Sequence, residues 1–132
     1  MGAKPYEYFV PFEVDAQSAL DKLRQQVFAS GEYATADLKP ETIDDAVELG
    51  DADGTASILD IELITDEPDF ACAAPYSGEE LAEYFGTNQP TRGDLQTGDG
   101  FWDDLERGQA RFMPIYDGGQ PKELCFVGYS FD

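Results

Sequence analysis

The sequence predicts an α+β fold: one domain over residues 1–132, built on an antiparallel or mixed sheet of about five strands with helices packed on it, ending in a β-hairpin. Three observations predict it. Strand-like segments fall in consecutive runs and do not alternate one by one with helices. The apolar period switches from two to about 3.6 residues at Asp15. Near the end, two β-rich runs flank the glycine-containing stretch 117–121.

Residues 6–14 (YEYFVPFEV) are aromatic and β-branched, so they predict a strand that lies at an edge or bulges where Pro11 falls. Asp15 can cap a helix whose apolar positions Ala16, Ala19, Leu20, Leu23 and Val27 follow helical spacing, with Gly31 as its stop. A second helix starts at Thr42 and ends at Gly50, turning Ile43, Ala46 and Val47 inward and Asp44, Asp45 and Glu48 outward. Residues 57–65 alternate, with Leu59, Ile61 and Leu63 against Asp60 and Glu62, the pattern of a strand covered on one side. A turn at Glu67, Pro68 and Asp69 leads to a short strand over 70–74.

Ser77 and Glu80 have capping-box spacing and open a short helix that buries Leu81, Tyr84 and Phe85, presents Glu79, Glu80 and Glu83, and stops at Gly86. The stretch 87–100 is a loop with one helical turn after Thr91, and 101–107 predicts another short helix. The hairpin pairs 110–116 with 123–131 across a connection that contains the turn residues 117–121. This order places the helices on one side of the sheet. Leu124 and Phe126 alternate with Val127, Tyr129 and Phe131, however, so the sheet has two apolar faces, covered by helices or by a second copy; a homodimer is compatible with this pattern.

Charge is the feature that stands out. The chain carries 28 acids against 8 bases, a net charge of −20. The excess is regional: residues 36–107 hold 20 acids and 3 bases, while the segments before and after are close to neutral. Fourteen carboxylates lie between Lys39 and Arg92 with no basic side chain among them. A general acid excess would spread over the whole surface, as in a salt-adapted protein. The regional excess instead predicts an electrostatic face for a basic partner, presented by Asp44, Asp45, Glu48, Asp51, Asp53, Asp60, Glu62, Glu79, Glu80 and Glu83. An inhibitor or immunity-type protein that covers the phosphate-binding groove of a basic target fits this physics. A solvated acidic surface with no further role is the plainer reading, and a small carboxylate-based hydrolase is the alternative from another class.

Several chemistries find no support. The chain has no histidine, which removes Ser-His-Asp and Cys-His nucleophile systems and most zinc sites. Asp51, Asp53 and Glu62 stand at positions 1, 3 and 12 of a calcium-loop pattern, but Ala56 stands where that loop needs glycine. Asp103 and Asp104 beside Trp102 have the composition of a sugar site, yet a surface helix anchored by its aromatics explains them as well. The segments around Gly86 and Gly98-Asp99-Gly100 lack phosphate-loop spacing. The acid excess repels nucleic acid. No catalytic residue, metal or cofactor is assigned. Cys72 and Cys125 lie in apolar segments, where thiols behave as core residues. Gly2 is followed by Tyr6 where a myristoylation signal needs Ser or Thr, and no apolar run suits a signal peptide or a membrane span, so a cytoplasmic protein is expected.

Overall fold

The computed structural model describes residues 4–98 and 100–131, so Gly2 and Asp99 of the motifs above lie outside the described residues. The architecture is α+β, as the sequence predicts. Strands β1 (Pro5–Pro11), β2 (Leu63–Ile64), β3 (Cys72–Pro75), β4 (Ala110–Asp117) and β5 (Gln120–Tyr129) form one sheet in the order β1-β5-β4-β3-β2. The sheet is mixed: β1-β5 and β5-β4 are antiparallel, β4-β3 and β3-β2 parallel. Parallel neighbours normally need a long crossover. Because β2 spans only two residues, residues 65–71 suffice to bring the chain back to β3.

Four α-helices accompany the sheet: α1 (Ala16–Ser30), α2 (Ile43–Gly50), α3 (Gly78–Phe85) and α4 (Arg92–Thr97). Asp15 accepts a hydrogen bond from the Gln17 N–H at the start of α1, and Gly31 closes it in the left-handed conformation. Thr42 caps α2, and the Ser77/Glu80 capping box opens α3 as predicted. The helices cover both faces of the sheet. On one face, α1, α2 and the segment 58–61 pack over Tyr6, Val10, Phe112, Leu124 and Phe126. On the other, α3, α4 and the 3-10 turn at Gly100–Asp104 pack over Met113, Ile115, Cys125 and Val127. The expectation of helices on one side is corrected here; both apolar faces of β5 are buried by the chain's own helices.

Three local expectations are also corrected. Residues 57–65 do not form one alternating strand. Ile58–Asp60 is a 3-10 turn, because the Ser57 hydroxyl accepts from the Leu59 N–H and the Asp60 carboxylate accepts from Thr55, and such local bonds compete with a sheet ladder. The predicted helix over 101–107 is the 3-10 turn of residues 100–104. The hairpin turns on Gly118 and Gly119 alone, with φ of 62° and 80°, so β5 starts earlier than expected and a bulge between Ile115 and Tyr116 absorbs the register shift.

The sheet edges are blunted in two ways. Lys4 bonds Ser130 just past β5 and Phe12 bonds Lys122 of β5, so the alternate positions Pro5, Glu7, Phe9 and Pro11 point their backbone outward, and two of those four lack an N–H. At the opposite edge the Gln17 side chain takes the place of a strand: its Oε1 accepts from the Ile64 N–H at 2.9 Å and its Nε2 donates to the Glu62 carbonyl at 3.2 Å. Among the described residues no helix is long and apolar enough to cross a membrane.

Candidate interaction surface

The amphipathic α2 buries Ala46 and leaves Asp44, Asp45 and Glu48 exposed, and the 3-10 turn that follows it exposes Asp51 and Asp53. No hydrogen bond or ion pair engages these five side chains among the described residues. Asp51 takes φ of 50°, unusual outside glycine, which turns the chain from α2 into Gly54.

Glu62 joins this surface through Arg24 of α1. Burial depresses the pKa of the Arg24 guanidinium, and the charges of Glu62, Asp21, Asp44 and Asp60 counter this; Arg24 lines a cleft with Asp44, and the Gln17 Nε2 donates to both Asp21 Oδ1 and the Glu62 carbonyl. Arg24 is turned inward, its Nη2 donating to the Leu59 carbonyl at 2.8 Å. One half-buried cation against three exposed carboxylates leaves the local charge negative.

Asp60 is not part of that surface. It is 3% exposed, a correction to the strand reading that placed it outside. Its Oδ1 accepts from the Thr55 N–H at 2.7 Å and the Thr55 hydroxyl at 2.8 Å, while among the described residues neither Oδ2 nor the nearby Tyr6 hydroxyl makes a hydrogen bond of normal geometry. Desolvation raises the Asp60 pKa, and the donors at Thr55 and Ala56 partly offset this. Burial likewise pushes the Tyr6 hydroxyl well up, with the Asp60 charge adding to it. A hint of this lay in the spacing Ser57-x-x-Asp60, which resembles a cap as much as a strand.

Glu79, Glu80 and Glu83 belong to α3, which packs on the opposite face of the sheet from α2. With Asp60 buried, the other nine predicted residues form two separate groups. Glu80 is also engaged: it completes the capping box and pairs with Arg111 at 2.8 Å, and the bonds from Ser77 and Arg111 depress its pKa despite partial burial. The surface is thus Asp44, Asp45, Glu48, Asp51, Asp53 and Glu62, with Asp21 added. Asp21 escaped the sequence reading because it lies in the nearly neutral N-terminal segment.

Asp103 and Asp104, the carboxylates beside Trp102, do not face one cleft. Asp103 lines a cleft with Trp102, Arg107 and Tyr129, whereas Asp104 lines another with Glu106, Gln109 and Arg111. Asp104 also accepts from the Tyr84 hydroxyl, whose pKa is pushed up to about 12 by burial and then by this bond. Neighbours in sequence, the two carboxylates open to different clefts. Among the described residues no cluster of His, Cys, Asp and Glu has the arrangement of a metal site. Cys72 and Cys125 are free and buried; with β4 between their strands they are separated by at least two strand spacings, roughly 10 Å or more, beyond disulfide reach. No family model, curated protein or solved structure matches the chain.

Proposed function

We propose that this chain is a non-enzymatic interaction domain that binds a basic protein through the acidic surface running from α2 to Glu62. The observation that supports it is the neighbourhood of Arg24, where exposed Asp44 of α2 lines a cleft with this one cation and exposed Asp21 of α1 and Glu62, just before β2, are joined through Gln17. Such a surface raises the encounter rate with a cationic partner, and the effect weakens as salt shortens the screening length to about 8 Å at physiological ionic strength. An inhibitor that covers the arginine- and lysine-rich groove of a nucleic-acid-binding target belongs to this class.

The test compares two double variants of equal net charge, Asp45→Lys/Glu48→Lys on α2 and Glu79→Lys/Glu83→Lys on α3, titrated with a labelled nona-arginine peptide. The α2 pair is expected to weaken binding about tenfold, given exposed-pair energies of up to about 1 kcal/mol each. The α3 pair should have a much smaller effect. Equal losses would mean that the peptide responds only to total charge, and the reading would fall.

A further inference from the structure

One exposed aromatic side chain adjoins the acidic surface and is held rigidly. Phe70 is 59% exposed, yet its ring stacks on Phe131 with centroids 4.7 Å apart. It also lies against the backbone of Gly108, where a Cβ would come within 2.5 Å of the ring. The next residue, Ala71, takes a left-handed φ of 61°, a conformation that costs a non-glycine residue on the order of 1 kcal/mol. An exposed phenyl ring would ordinarily be free to turn. Here stacking, a glycine contact and a strained neighbour fix it in place.

The ring pair connects to the carboxylates at both ends. Phe131 packs on Gly54, where a Cβ would stand 2.8 Å from the ring and 2.7 Å from Oδ2 of Asp60. The turn carrying Asp51 and Asp53 and the Oδ2 of Asp60 therefore lie beside Phe131. Asp69 directly precedes Phe70, and Glu62 donates its N–H to the Ala71 carbonyl at 3.0 Å.

A phenyl ring on a segment rich in carboxylates suits a cation, because the ring quadrupole and the acids attract the same charge. Arginine suits it best, since its guanidinium is planar and weakly hydrated. The chain itself uses this pairing, with Arg92 4.0 Å over Phe9 and Arg111 4.3 Å over Tyr76. We propose that Phe70 is the docking point for an arginine side chain of the basic partner, held over the ring with Asp69 beside it in the chain and Glu62 one backbone hydrogen bond from Ala71. This rests on the acidic surface being the partner's binding face.

The test uses fluorescein-labelled nona-arginine with native protein, Phe70→Ala, Phe70→Leu, Phe70→Trp and the α2 charge-reversal pair, each checked for fold by circular dichroism. Phe70→Ala and Phe70→Leu are expected to weaken binding about threefold to thirtyfold, the span of a cation-π contact from exposed to desolvated, and Phe70→Trp to restore it. Phe70→Leu keeps apolar area but removes the ring, so native affinity in that variant would overturn the proposal. If charge reversal on α2 weakens binding while Phe70→Leu does not, the anchor alone falls. If charge reversal leaves binding unchanged, the surface reading falls with it.

Discussion

Asp60 shows how one side chain organises a segment. Its Oδ1 gathers the Thr55 N–H and hydroxyl, and that hydroxyl also bonds Ser57 at 2.7 Å, so residues 55–60 fold around a single carboxylate oxygen. Thr55→Val removes the hydroxyl from this buried network and is expected to cost about 1–3 kcal/mol, read by urea unfolding. Because burial raises the Asp60 pKa in the folded state, its contribution to stability is fully present below the unfolded value of about 4 and is lost as pH rises through the folded value. Asp60→Asn keeps the Oδ1 acceptor and removes the titration. Its stability relative to native protein should therefore improve from pH 4 to pH 7, and a pH-independent difference would contradict the assignment.

The elements that the sequence made legible are those whose signals are local. Asp15 and Gly31 mark the ends of α1, Thr42 starts α2, and Ser77 with Glu80 opens α3, because caps satisfy backbone groups within a few residues. Ser77→Ala should cost about 1 kcal/mol by thermal unfolding. The segment 57–65 was misread because alternation describes a strand and a capped turn equally well over so short a run. Two apolar faces are visible in the alternation of β5, but neither which elements cover each face nor the separation of α2 from α3 is, since both depend on where the crossovers pass. The role of Gln17 at the β2 edge is a contact 47 residues long in sequence. Gln17→Ala should speed hydrogen exchange at the Ile64 amide by about tenfold, the equivalent of one net hydrogen bond; unchanged exchange would show that the edge is protected by other means.

At the scale of the whole molecule, a net charge of −20 acts on stability and on association. Self-repulsion among exposed carboxylates is relieved by screening, so the melting temperature should rise between about 10 mM and about 300 mM sodium chloride, as the Debye length falls from about 30 Å to under 10 Å. A melting temperature that falls over this range would mean that attractive pairs dominate. Acidity alone, however, does not define a binding face; the division of the carboxylates between the two sides of the sheet does. The most direct test is a map of amide chemical-shift changes on adding nona-arginine to isotope-labelled protein. Shifts concentrated at residues 44–53 and 62–71, with residues 79–85 unmoved, are the predicted result. Equal shifts on α2 and α3 would contradict the account.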